Sequence, residues 1–358
     1  MNLKKLGWNN NLEENIKKSH ICRDNVGRVI FHSGKQYKLI SKDGELIAHL
    51  SNSYLNSIES KSELPSVGDW VYFKQIDKFR PPQILKLIPR KNKLSRKVSG
   101  EKTEEQIIAS NIDIVFIITS ANQDFNIRRL ERYLTIINEI NAHPIIILNK
   151  IDVCKNYKKY INEIDKNLPN VTKLPISAKT SENIEEILQI IKPGNTIVLV
   201  GSSGVGKSTL INNLLGYNRQ AIDETREKDC KGRHITTSRE LIMLPNGGML
   251  VDNPGLRELQ LWSSESGISK TFEDINELSR HCRFSDCFHD TEPGCAVKKA
   301  VDQHKLSQKR LDSYKKLLRE QEYLDKRRNT YERRKKDKQL GKMYRKVLDI
   351  QRLKGKKQ

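Results

Sequence analysis

Nine residues in the middle of the chain and four near its end have the types and spacing to do chemistry. Gly201-Ser202-Ser203-Gly204-Val205-Gly206-Lys207-Ser208-Thr209 satisfies the pattern G-x-x-x-x-G-K-[S/T]. It follows the apolar run Thr196-Ile197-Val198-Leu199-Val200 and precedes a run with helical character at 210–215. Strand, glycine loop and helix form the context that a phosphate-binding loop needs. Glycines let successive backbone N–H groups turn toward one anion, and the helix start adds partial positive charge. All nine residues are therefore candidates to cradle the phosphates of a nucleotide. Lys207 would reach the β and γ phosphates, and the Ser208 hydroxyl would face Mg²⁺. The second group is Cys282-x4-Cys287-x-His289-x5-Cys295, three thiols and an imidazole within 14 residues. Zn²⁺ takes four such ligands in a closed tetrahedron, which leaves no open position for catalysis, so the expected role is structural. His281 adjoins Cys282 and could compete, but the spacing favours His289.

A third group bears on which nucleotide is bound. Asn149-Lys150-Ile151-Asp152 follows the apolar run Pro144-Ile145-Ile146-Ile147-Leu148. At the end of a strand, N-K-x-D is the base-reading motif of GTPases. The Asp152 carboxylate can accept hydrogen bonds from guanine N1–H and the 2-amino group. Adenine offers no such pair of donors, and a buried acceptor left unpaired costs roughly 1–3 kcal/mol. Lys150 can lie along the base, and Asn149 can tie this loop to the phosphate loop. Ser177-Ala178 has the character of a second base loop, where a backbone N–H meets guanine O6. Beyond the phosphate loop, Met249-Leu250-Val251-Asp252-Asn253-Pro254-Gly255 reads as a strand running into Asp-x-x-Gly. Asp252 would hold Mg²⁺ through water, and the Gly255 N–H would meet the γ-phosphate. Thr236 or Thr237, in a polar stretch between them, would complete the Mg²⁺ shell as a switch.

The elements that position these groups can be read around them. Apolar runs at 111–119, 144–148, 173–176 and 196–200 alternate with helical spacing at 128–140 and 183–191. That alternation predicts a mostly parallel sheet with helices on both faces. The base-reading motifs precede the phosphate loop, the reverse of the usual GTPase order. The parts are those of a GTPase domain that has been circularly permuted. Upstream, five short strand-like runs between 28 and 88 are punctuated by turn signals such as Ser33-Gly34 and Asp43-Gly44. They predict a small barrel of the OB type, a fold that often binds RNA. The basic run Arg90-Lys91-Asn92-Lys93-Leu94-Ser95-Arg96-Lys97 reads as a solvated linker or a phosphate contact. Residues 319–358 hold 16 Lys and Arg against 6 Asp and Glu, so this arm carries +10 of the net charge. The expected organisation is a tail or helix at 1–20, the barrel with its basic linker at 21–103, and the permuted domain at 104–257. A zinc-binding helical segment at 258–318 and the basic arm at 319–358 complete it.

A formal net charge of +21 over 358 residues points to a polyanionic partner, nucleic acid before an acidic membrane surface. No run of 18 apolar residues occurs, and the N-terminus lacks a signal-peptide core. These features predict a cytoplasmic protein without membrane partners. Three of the six cysteines cluster and three are scattered, and the clustering fits metal binding in a reducing compartment.

Taken in order, N-K-x-D, S-A, G-x-x-G-x-G-K-S-T, G-R-H-x-T-T, D-x-P-G and the cysteine cluster resemble the ribosome small-subunit-dependent GTPase A family, RsgA or YjeQ. The resemblance spans nearly the whole chain. It implies a GTPase that is activated by the small ribosomal subunit and acts in the late maturation of that subunit. Implied partners are the subunit, its rRNA and GTP or GDP, and the implied state is a monomer. The family's switch histidine falls on His234, a catalytic candidate alongside Lys207. Leu256 follows the D-x-P-G motif where many GTPases carry a water-orienting glutamine, so His234 or an RNA group would take that role. Two positions depart from the usual pattern, Asn253 and Ile235, both at variable places in their motifs. Two rival readings are a non-catalytic, nucleotide-gated rRNA-binding checkpoint and a membrane-surface GTPase.

Overall fold

The computed structural model describes residues 2–34, 36–76, 79–97, 105–218, 239–252, 265–327 and 329–330. Its first body is a closed barrel of β1 (Val26–Ser33), β2 (Gln36–Ser41), β3 (Gly44–Leu50), β4 (Trp70–Lys74) and β5 (Gln83–Leu87). The strands follow the order β1-β2-β3-β5-β4 and close through β1–β4. All pairs are antiparallel except β3–β5. Alternate residues fill the interior, among them Val29, Tyr37, Leu39, Ala48, Val71 and Ile84. This is the predicted OB-type barrel.

The basic run after the barrel is built into the fold. Lys93–Lys97 forms β6, paired antiparallel with β7 (Glu105–Ser110). The Arg90 guanidinium donates to both Asp69 carboxylate oxygens, at 2.8 and 2.7 Å, and to the Ser62 and Leu64 carbonyls. Lys91 pairs with Asp113 and Lys93 with Glu105, each at 2.7 Å. The acidic partners of these bases lie elsewhere in the chain, so three of its charges are paired within the fold, with Arg90 largely enclosed and both lysines still exposed.

The second body is a sheet ordered β10-β9-β8-β11-β13-β12. Its strands are β8 (Ile114–Ser120), β9 (His143–Asn149), β10 (Thr172–Pro175), β11 (Thr196–Val200), β12 (Glu240–Met243) and β13 (Met249–Asp252). All neighbours are parallel except β12–β13. Successive residues divide between two cores, with Val115, Ile117, Ile146, Val198 and Val251 on one face. Phe116, Ile118, Ile147, Leu199 and Leu250 fill the other. Before β8 the chain forms α1 (Asn10–Lys18) and α2 (Asn52–Ser57). Helix α3 (Ile127–Glu139) and α4 (Lys158–Asn167) cover the first face, and α5 (Ile184–Ile190) with α6 (Lys207–Leu215) covers the second. Burial on both faces explains the unbroken apolar runs.

The two bodies share hydrogen-bonded strands, because β12 also pairs with β1 at Phe31–Glu240. The N-terminal segment packs into the same junction, with Leu6 fully buried and Trp8 edge-on to Trp70 at 4.8 Å. Arg28 joins all three parts. It donates to the Leu6 carbonyl at 2.5 Å, the Gly68 carbonyl at 3.1 Å and Thr196 Oγ1 at 2.6 Å. Burial lowers its pKa to about 10, and the three acceptors offset the cost of enclosing the charge.

The C-terminal segment packs on the outer side of α3. It comprises α7 (Glu265–Thr271), α8 (Glu273–Ser279), α9 (Ala296–Asp302) and a longer helix, α10, at 308–327. Ile268, Phe272, Ile275, Val297, Leu311 and Leu317 extend the first core. At Gly267 a Cβ would fall on the Thr135 carbonyl oxygen, so glycine permits α7 to approach α3.

Candidate nucleotide site and metal centre

Because β8, β9, β10, β11 and β13 run parallel, their C-terminal ends open on one edge of the sheet, where ligands of such sheets bind. Asn149 ends β9, Ser177 follows β10, the phosphate loop follows β11 and Asp252 ends β13. Motifs scattered over more than 100 residues therefore meet in one place.

Asn149 is the centre of that meeting. Its Nδ2 donates to the Val205 carbonyl at 2.8 Å, and its Oδ1 accepts from the Ala178 N–H at 2.9 Å. One buried side chain thus ties the base-reading loop to the phosphate loop and to the Ser177-Ala178 loop. Ser177 Oγ donates to Asp152 Oδ1 at 2.8 Å, which fixes the carboxylate, and Asn213 Nδ2 donates to the Ala178 carbonyl at 2.6 Å. Lys150 sits in the left-handed region, with φ 68°. At Gly206 φ is 97° and a Cβ would collide with Asn149 Nδ2, so no other residue fits there. Lys207 Nζ donates to the Gly201 and Ser202 carbonyls, at 2.7 and 2.6 Å. These bonds orient the ammonium over its own loop.

Two residues outside the motifs complete the loop's support. Ser202 Oγ donates to Asp124 Oδ2 at 2.8 Å, and Arg129 Nη1 donates to Ser202 Oγ at 2.7 Å and to Asp124 at 3.1 and 3.2 Å. Partial burial works to raise the Asp124 carboxyl. Hydrogen bonds from Ser202 and Arg129, with the nearby Lys150 charge, outweigh it and hold the group below its usual value. Sequence motifs gave no signal for Asp124 and Arg129, which come from the segment that opens α3.

For Mg²⁺, Ser208 at the start of α6 and Asp252 at the end of β13 are oxygen donors of the kind this ion takes. The other candidates, His234, Thr236, Thr237 and Gly255, lie outside the described residues.

Cys282, Cys287, His289 and Cys295 converge, with their ligand atoms all within 4.8 Å of one another. Cys282 Sγ lies 3.7 Å from His289 Nδ1 and 3.9 Å from Cys295 Sγ, and Cys295 Sγ lies 3.4 Å from His289 Nδ1. Thiolates about 2.3 Å from a common tetrahedral centre stand roughly 3.8 Å apart, so the cluster fits one ion. The soft donor set suits zinc. Burial and the Lys315 charge lower the His289 pKa, which favours the neutral, ligating imidazole. Its φ of 59° and the neighbouring Pro293-Gly294 turn, with Gly294 at φ 78°, fold the strand of ligands back on itself. His281 takes no part in the cluster.

A closed five-strand barrel joined to a phosphate-loop sheet whose base-reading motif comes first in the chain defines a circularly permuted GTPase. The family model described as RsgA GTPase matches residues 87–262, and one described as 50S ribosome-binding GTPase matches 196–329. The Small ribosomal subunit biogenesis GTPase RsgA 2 of Vibrio parahaemolyticus is 38% identical over 350 residues, covering 98% of this chain and 94% of that protein. Among solved structures, YjeQ from Thermotoga maritima aligns with a TM-score of 0.61 at 23% identity, covering 83% of this chain and 98% of that one. YloQ, described as a circularly permuted GTPase, aligns at 0.58 and 25% identity, covering 83% and 94%. The chain belongs to the RsgA GTPase family.

Proposed function

We propose that this chain binds GTP with Mg²⁺ and hydrolyses it on the small ribosomal subunit, during late maturation of that subunit in the cytoplasm. The observation that carries the nucleotide part is the Asn149 clasp, which brings the base-reading loop and the phosphate loop to one sheet edge. In this reading Asp152 takes guanine, Lys150 flanks the base, and Ser177 and Ala178 close its far edge. Residues 201–209 hold the phosphates, and Lys207 draws charge from the β–γ bridge as the bond breaks. Mg²⁺, held by Ser208, Asp252 and Thr236 or Thr237, would neutralise the developing charge. Gly255 would contact the γ-phosphate, and His234 would orient the attacking water.

The ribosomal part is supported by the Vibrio relative, named for small-subunit biogenesis. A net charge of +21 and an OB-type barrel, a fold suited to RNA, support it too. The barrel and the basic arm would grip rRNA, and hydrolysis would release the protein. Zinc at the four-residue cluster would hold the C-terminal segment folded. Single-turnover hydrolysis with and without isolated small subunits tests this reading. Stimulation by the small subunit, lost in His234→Ala, is the expected result. No hydrolysis in either condition would favour the checkpoint reading.

A further inference from the structure

Helix α3 touches both the phosphate loop and the C-terminal helix. At its start, Arg129 and Asp124 hold the Ser202 side chain. The Ser202 carbonyl in turn accepts from Lys207 Nζ, so the placement of the phosphate-binding ammonium runs through Ser202. Two and three residues later, the same helix engages the C-terminal segment. Glu131, fully buried, accepts from Arg310 Nη1 at 2.9 Å and from Ser313 Oγ at 2.6 Å, and also pairs with Arg128. Arg310 forks onto Asp274, at 2.7 Å through both Nε and Nη2. Arg132 forks onto Glu320 at 2.7 and 2.5 Å. Arg129 and Arg132 stand one turn apart, a rise of about 4.5 Å. A hydrogen-bonded helix cannot absorb movement between them, so both contacts move together.

We propose that Arg129 is a positioning residue for the phosphate loop, and that α3 makes nucleotide binding and the seating of the helix at 308–327 one coupled equilibrium. The proposal rests on the reading that this loop takes GTP. Coupling of this kind is reciprocal: a partner that grips the C-terminal helix changes nucleotide affinity by the factor with which nucleotide changes that grip. Arg129 acts through Ser202 and Lys207, so its loss should weaken binding more than the chemical step. Lysine, which keeps the charge but not the planar guanidinium, should recover part of the effect.

The test uses the full chain with zinc, a fluorescent GDP analogue for affinity, and steady-state GTP turnover. Arg129 is partly exposed and Glu320 is too, so both sites tolerate substitution without a buried charge being orphaned. Arg129→Gln should raise Kd and KM about tenfold, the scale of one charge-assisted hydrogen bond, with kcat within about twofold. Arg129→Lys should recover part of that loss. Glu320→Gln should shift the GDP Kd by about threefold in the wild-type background and add nothing to Arg129→Gln. A Kd unchanged in Arg129→Gln would overturn the proposal, as would independent, additive effects of the two substitutions. A wild-type chain that binds no guanine nucleotide would overturn the GTP reading itself, and the proposal with it.

Discussion

Asn149 serves three loops with one amide, and its neighbours leave little room for change. Replacing it with alanine removes hydrogen bonds to Val205 and Ala178. Both loops stay covalently attached to their strands, so the fold should survive while nucleotide affinity falls by one to two orders of magnitude. Isothermal titration of Asn149→Ala with GDP, beside its thermal melt, checks this. Gly206→Ala should behave similarly through a different cause, since the new methyl group collides with the Asn149 amide and the residue is locked at positive φ. The residues of the motifs were legible because each has a fixed chemical reason for its type and spacing. Asp124 and Arg129 were not. Their partner, Ser202, lies 78 and 73 positions away, and an Asp or Arg near a helix start has many ordinary uses.

Among the elements, the parallel strands of the nucleotide domain announced themselves through unbroken apolar runs, and the barrel through short strands separated by turns. The hairpin of β6 and β7 was hidden under a basic run. Lys93 and Arg90 read as solvent-facing until their acidic partners, Glu105 and Asp69, are brought beside them by the fold. The metal cluster has the sharpest consequence at this scale. The C-terminal segment should lose stability on removal of the ion, by several kcal/mol given that binding energy is folding energy in such sites. Calorimetric melting before and after chelation should show a separate low-temperature transition. Cys295→Ser should reproduce it without chelator. Acid should release the ion as well, because thiolates and a neutral imidazole are the ligating forms and protons compete for each. Retention of a single unchanged melting transition in the chelated protein would contradict a structural role.

Across the whole molecule, strand pairing between β1 and β12 and the buried Arg28 fix the barrel against the nucleotide domain, while α3 links that domain to the C-terminal helices. Charge is distributed unevenly over this frame, with the arm at 319–358 alone contributing +10. Removing residues 331–358, which lie beyond the described helix, should flatten the salt dependence of small-subunit binding. Each phosphate that the arm no longer neutralises reduces the logarithmic slope by nearly one unit. Cosedimentation across a salt series measures it, and an unchanged slope would remove the arm from the rRNA interface. The central claim, however, is narrower. An aspartate that arrives before the phosphate loop in the chain reads the base of the nucleotide that this loop holds. Titration calorimetry of the wild-type chain and Asp152→Asn with GDP and ADP tests that claim most directly. The account predicts that GDP is held at least tenfold more tightly than ADP by the wild type, and that the substitution erases most of this margin. Equal affinity for the two nucleotides, or a preference that Asp152→Asn leaves intact, would contradict it.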